Sequence, residues 1–308
     1  MAKEMATLDP ITFLMEYGNI PYGSSANSFY KLGLFDRNIK RSWRPITDEN
    51  FVTTRKNPYD ITKLPDEQRI VSVDVAMRAG STNDNTIITC ARLRPSRKGW
   101  LTDICYMESH NGKNTGFQAL RIKQIFEEFQ GDVLVLDIAN AGIAVADALS
   151  SVTKDEVRGT EYPAYTVMEH ERIDQRVFDE LRNRTLAQNA KECIFPIFAS
   201  SSLNSEIAVA FRTRLKKKLV NFLVDDNTEE EFLIKAGNKD ILDQDDTGIR
   251  AHLLQAHLQT TLLINECIAL EMVMVNGNVK LVEPEGARKD RYTSASYLNY
   301  YVSLMDIE

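Results

Sequence analysis

Residues 69–93 read RIVSVDVAMRAGSTNDNTIITCARL, and the fold turns on how that stretch is parsed. Residues 70–77 form an apolar, β-branched run with one acidic residue, Asp74, inside it. A loop rich in Gly, Ser and Asn follows, and a second β-branched run opens at Asn85. Strand interiors disfavour Asp, which prefers turns and helix caps. A carboxylate there is paired, solvated at a sheet edge, or placed to do chemistry. The rest of the chain decides between these.

Working outward, 85–93 and 100–108 are bounded by turn residues and predict an antiparallel meander with the first strand. A helix is expected over 115–130, with Ile122, Ile125, Phe126 and Phe129 on one face and Gly131 at its C-cap. Residues 132–137, DVLVLD, form a continuous apolar run of strand length, the pattern of a central strand buried on both faces. The run stops at Asp137, and a helix is expected over 140–150. In sheets with helical crossovers, ligands bind beyond the carboxyl ends of parallel strands. If the strands at 70–77 and 132–137 are neighbours, Asp74 and Asp137 converge. The plainer reading makes Asp137 a helix N-cap, a role Asn140 fills equally well. Further on, the pattern predicts a strand at 165–168, a helix at 175–189, a strand at 193–198 and a helix at 204–219. A helix at 246–267 and two strands at 269–275 and 278–282 follow, turned by Asn276-Gly277. The last helix opens near Asp290.

Residues 1–65 differ. Apolar and aromatic residues (Phe13, Tyr17, Tyr22, Phe29, Tyr30, Phe35) recur among turn residues without a sustained period, and Pro58 and Pro65 punctuate 57–67. That composition predicts a linker or an extended entry to a main domain starting near residue 66. No GxxxxGK[ST] phosphate loop occurs, so an ATPase of that class is not encoded. Of the 308 residues, 43% are hydrophobic and 26% charged, the balance of a soluble globular protein. Apolar runs fall short of a membrane span, and no signal segment opens the chain. Four scattered cysteines without a CxxC pair predict packed thiols in a reducing compartment.

The net charge of −7 argues against an all-basic surface but not against local patches. Between Asp225 and Asp246 nine acidic residues face two lysines, which predicts a solvated face. Just upstream, Arg212, Arg214, Lys216, Lys217 and Lys218 form a basic cluster suited either to solvent or to phosphate contacts. The four histidines show no metal-ligand spacing, and no Ser or Cys lies in a nucleophile motif.

Three acids remain as candidates: Asp74, Asp137 and Asp290. Asp290 opens the last helix between Lys289 and Arg291, where the helix dipole also favours a carboxylate. Three converging carboxylates repel unless cations bind. Hard divalent ions such as Mg²⁺ and Mn²⁺ want oxygen ligands and bind substrate phosphates. A pair of such ions about 3.5–4 Å apart activates water and stabilises the leaving oxygen of a phosphodiester.

The set VSVDVA, NDNT ten residues later, VLVLDIAN and KDRYTSASYLNYY resembles the nuclease domain of the large terminase subunit of tailed bacteriophages, from about residue 69 onward. The resemblance implies an RNase H-like α/β fold, a mixed sheet of the five-stranded type flanked by helices, with an added C-terminal hairpin and helix. It implies catalytic and metal-holding roles for Asp74, Asp137 and Asp290, with Asp84 in the loop as a further metal residue. It implies two Mg²⁺ or Mn²⁺ ions and endonucleolytic cleavage of double-stranded DNA during viral genome packaging in the host cytoplasm. Portal protein, small terminase subunit and an ATPase motor domain are the implied partners, and residues 1–65 would be a linker or the tail of that motor. Lys289 and Arg291 join the basic cluster as candidate DNA contacts. A Holliday-junction resolvase or transposase of the same fold, or a non-catalytic portal-docking module, stays open as an alternative.

Overall fold

A computed structural model of the chain describes residues 28–76, 85–139, 141–237 and 247–306. Asp84, Asn140 and the aromatic residues before position 28 lie outside the described residues. In chain order the main elements are β1 (Asp36–Ile39), α1 (Asp48–Thr53), β2 (Gln68–Asp74), β3 (Thr86–Ser96), β4 (Gly99–His110), α2 (Thr115–Glu128) and β5 (Val133–Asp137). Then come α3 (Ala141–Leu149), the small hairpin β6 (Thr153–Asp155) and β7 (Thr160–Tyr162), β8 (Tyr165–Val167), α4 (Gln175–Arg184) and β9 (Lys191–Ile197). The chain closes with α5 (Ser201–Lys216), β10 (Val220–Leu223), α6 (Asp226–Lys235), α7 (Thr247–Ala269), the hairpin β11 (Glu271–Val275) and β12 (Asn278–Val282), and α8 (Asp290–Met305).

Eight strands form one sheet in the order β1-β10-β4-β3-β2-β5-β9-β8. β3 runs antiparallel to both β2 and β4, whereas β5, β9, β8, β10 and β1 join their neighbours in parallel. The central order β4-β3-β2-β5-β9, with helices on both faces, is the RNase H-like arrangement. The sheet is wider than the five-stranded type expected, because β10 and β1 extend one side and β8 the other.

The boundary expected near residue 65 falls inside this body. β1 pairs with β10, Tyr30 and Trp43 are wholly buried, and the Trp43 ring packs on Tyr106 and Phe129. Residues 28–65 therefore pack as part of the same body as the sheet rather than as a linker to it. The segment shows no hydrophobic period because it packs as an irregular ribbon, each aromatic in its own socket. Of the acidic run at 225–246, residues 238–246 lie outside the described residues, and 225–237 is not simply a solvated face. Asp225 accepts from Thr228 N and caps α6, and Glu229 is buried 3.4 Å from Arg44.

Alternation along β2 and β5 assigns the two faces. Ile70, Val133 and Val135 point into the core shared with α5, α7 and α8, while Val71, Val73, Leu134 and Leu136 point into the core under α2 and α3. This two-sided burial is why DVLVLD is apolar without a break. α8 lies across the first face, bonded by Ser294 to Ser72 O at 3.0 Å and by Ser72 Oγ to its own Ser294 O at 2.8 Å. One detail of α2 departs from expectation. Gln130, not Gly131, takes the left-handed backbone (φ 55°) after the helix. Gly131 is required for space, since a Cβ there would meet the Phe126 ring at 2.6 Å. No helix among the described residues is long and apolar enough to cross a membrane.

Candidate active site

The two strand aspartates meet because of register. β2 and β5 pair in parallel from Ile70 with Val133 to Val73 with Leu136, so Asp74 and Asp137 are the next residues on neighbouring strands. Adjacent strands lie about 4.8 Å apart. Side chains alternate, so Asp74 follows Ile70 and Ser72, and Asp137 follows Val133 and Val135, onto the face covered by α8. Both sit at the carboxyl ends of their strands: this was expected for Asp137, whereas Asp74, expected inside a strand over 70–77, is the last residue of β2.

The loop after β5 fixes Asp137. Its Oδ1 accepts from Ala139 N at 2.8 Å, a local turn that offers the backbone a partner before α3 begins. Burial pushes the Asp137 carboxyl up to about 6, with that backbone bond pulling the other way. α3 comes close enough that a Cβ on Gly142 would lie 1.8 Å from Asp137 O. Only glycine allows the helix to start there.

Asp290 reaches the same end of the sheet from another direction. It is buried at the first turn of α8, and its Oδ2 accepts from Asn85 N at 2.8 Å, just beyond the pairing of Asp74 with Ile87. Asn85 is itself held by Asn111, whose amide donates to Asn85 Oδ1 at 2.9 Å. Lys289, at the N-cap, offers no side-chain cap. Glu266 of α7 does that work, accepting from Tyr292 N at 3.0 Å and from the Arg291 guanidinium at 2.6 Å. Burial raises the Glu266 carboxyl to about 7 despite Arg291, and the negative charge of Asp290 adds to the rise. Among the described residues no three His, Cys, Asp or Glu side chains gather closely enough to hold a metal ion. The strand pair is thus brought side by side, while Asp290 shares its face and end of the sheet without closing a compact three-carboxylate group.

The basic candidates mostly fall away from this edge. α5 starts beside the carboxyl end of β9 and runs to the opposite end of the sheet, where β10 begins, carrying Lys216, Lys217 and Lys218 with it. Lys218 is tied to Asp36 at 3.0 Å, and Lys216 and Lys217 are exposed. Arg214 is 2% exposed and spent on Asp306, Asn299, Thr102 Oγ1 and Trp100 O, so no phosphate reaches it. Arg212 lies with its guanidinium 4.4 Å from the Phe29 ring centre. Arg291 is engaged by Glu266 and Gln259, and Lys289 by Glu283 at 2.7 Å. The charge run in the sequence mixed structural arginines with solvated lysines, which letters alone do not separate.

The chain matches no protein-family model and no curated protein. Solved structures do resemble it. The large terminase nuclease from thermophilic phage G20c with bound magnesium superposes with a TM-score of 0.46 at 12% identity, over 90% of this chain and 98% of that one. The Thermus phage P74-26 large terminase nuclease domain gives 0.43 at 14% identity, over 87% and 92%. The HK97 bacteriophage large terminase gives 0.40 at 9% identity, covering 89% of this chain and 43% of that one.

One neighbour of the carboxylates was not evident from sequence. Tyr297 is buried on α8, and the charges of Asp137 and Asp74, after burial itself, hold its phenol well above the usual range. A cavity of about 400 Å³ opens beside it between α5, α8 and the β11–β12 hairpin. The signal was present: Tyr297 follows Asp290 by seven residues, two helical turns on the same face. It was masked by a run of aromatics that reads equally well as core.

Proposed function

We propose that this chain is a metal-dependent endonuclease domain that hydrolyses double-stranded DNA and serves viral genome packaging. The supporting observation is the placement of Asp74 and Asp137 in register at the carboxyl ends of neighbouring central strands, with Asp290 delivered to the same end by α8. An all-oxygen donor set at such a switch point suits a hard divalent cation rather than zinc in a thiolate site. Asp74, Asp137 and Asp290 would hold Mg²⁺ or Mn²⁺, and Asp84 is a further candidate. When bound, the ions supply water activation and offset the charge developing on the leaving oxygen.

The residues themselves do the positioning. Ala139 N and Asn85 N orient two of the carboxylates, and Gly142 lets α3 close against Asp137 without moving it. Burial at Asp137 makes its bare carboxylate costly, so a cation is drawn there to offset the desolvation. Portal protein, small terminase subunit and an ATPase motor are the partners this reading expects. The test is nicking of supercoiled plasmid with Mg²⁺ or Mn²⁺. Asp74→Asn, Asp137→Asn and Asp290→Asn are each expected to abolish it with the fold intact. Undiminished cleavage by purified Asp74→Asn protein would defeat the assignment.

A further inference from the structure

The ladder between β2 and β3 ends at a candidate metal ligand. Its last pair is Asp74 with Ile87, and the pairing of β2 with β5 has ended one residue earlier, at Val73 with Leu136. Just past Asp74, side chains take over from the ladder. The hydroxyl of Thr86, the first residue of β3, accepts from Ala76 N at 2.9 Å. Gln118, in the first turn of α2, donates its amide to Ala76 O at 2.9 Å and to Lys113 O at 2.7 Å. Its Oε1 lies 3.1 Å from the Thr86 hydroxyl, whose proton goes there or to Ala76 O. Two carbonyls on one side and a hydroxyl on the other leave the carboxamide one orientation.

Packing alone does not call for a glutamine here. Gln118 is 2% exposed, on a helix whose inner face is built from Ile122, Ile125 and Phe126. A buried carboxamide costs stability unless its polar atoms are paired, and a methionine would fill similar space without that cost. The amide is spent on holding the chain where it leaves β2 and where α2 begins. The start of β3 is tied into the same cluster. Asn85 N, one residue before Thr86, donates to the Asp290 carboxylate at 2.8 Å. One group of side chains thus sets both the strand end that bears Asp74 and the strand start that meets Asp290.

We infer that Gln118, working with Thr86, is a positioning residue for the metal site. It fixes the backbone beside Asp74 and the start of β3 beside Asp290, so the carboxylates stand in place before a cation arrives. This assignment rests on the nuclease reading. Gln118 acts through backbone and touches no reacting atom. Groups that orient metal ligands from behind contribute roughly 10- to 100-fold in metal affinity or activity.

Gln118→Met keeps the length of the side chain and removes both amide functions. Its Mn²⁺ dissociation constant, measured by calorimetry, should rise roughly 10- to 100-fold, with nicking at low Mn²⁺ falling in step and KM for plasmid unchanged. Gln124→Met is the control for general loosening. Gln124 is also buried, further along α2, and donates to Asp155 at 2.7 Å, so the same exchange there removes an internal amide bond without touching Ala76. It should leave Mn²⁺ affinity unchanged. Thr86→Val, which keeps the shape and loses the hydroxyl, should weaken Mn²⁺ binding about tenfold, and Thr86→Ser should recover most of that loss. Wild-type Mn²⁺ affinity in Gln118→Met overturns the assignment, as does an equal loss in Gln124→Met. A Thr86→Ser protein no better than Thr86→Val overturns it too, and that pair decides alone should Gln118→Met not fold. A wild type that neither binds Mn²⁺ nor nicks DNA sinks the nuclease reading together with this assignment. An active wild type with an unimpaired Gln118→Met sinks only this one.

Discussion

Replacing Asp137 by Asn should stabilise the protein, and by an amount that depends on pH. The folded carboxyl titrates near 6 against an ordinary 3.8, because burial penalises its charged form. The folded state therefore holds the proton more tightly than the unfolded state. Below about 3.8 both states are protonated and the group is neutral to stability; the penalty grows as pH rises through the window and is complete above about 6. At 1.36 kcal/mol per pK unit, the gap caps the penalty at about 3 kcal/mol. Partial exposure of the side chain brings the expected figure down to about 1–2 kcal/mol. Asparagine keeps the oxygen that accepts from Ala139 N and carries no charge. Urea unfolding in EDTA should then show Asp137→Asn more stable than wild type by that amount at pH 7.5, and equal to it within error near pH 4. Adding Mn²⁺ at a hundredfold excess over its dissociation constant should stabilise wild type by about 2.7 kcal/mol and leave the variant unmoved. A variant less stable than wild type at pH 7.5 would refute the claim that burial leaves this carboxylate strained.

Gly142→Ala brings a methyl group against Asp137 O, so it should cost about 1–3 kcal/mol in urea unfolding and depress plasmid nicking, although residue 142 bears no functional group. Glu266→Leu strips Arg291 and Tyr292 N of their acceptor and should cost about 3–5 kcal/mol; Glu266→Gln, which still accepts from Tyr292 N, should cost less, and thermal melts rank the two. Arg214→Ala should lose a similar 3–5 kcal/mol because Asp306 is left without its cation. Lys216→Ala with Lys217→Ala should shift stability by less than about 0.5 kcal/mol and leave the nicking rate unchanged, being exposed at the far end of the sheet.

The parts of the fold that were legible are those where one local rule fixes one outcome. DVLVLD had to be buried on both faces, Asn276-Gly277 had to turn a hairpin, and Asp290 had to open a helix. Asp74 stood out as an acid in an apolar run, although β2 ends on it rather than running through it. β1 and β10 were not legible, because four-residue strands at a sheet margin carry too little pattern and owe their conformation to each other. Charge was the least readable feature. Arg212, Arg214 and Lys216 to Lys218 look alike in sequence, and only packing reveals that Arg214 is an internal brace. Tyr297 was hidden among Tyr292, Tyr300 and Tyr301, all of them buried.

The pairing of β1 with β10 has a bearing on how the molecule is made. Asp36 sits opposite Asn221, and Tyr30 and Phe35 find their seats against Phe211 and Phe222. A chain leaving the ribosome must carry that aromatic ribbon, unhoused, until residues 211–222 have emerged. Such long-range closure is slow and leaves sticky surface uncovered meanwhile. Chaperone dependence and a tendency to misassemble during expression would thus originate in the ribbon, far from the residues that do the chemistry.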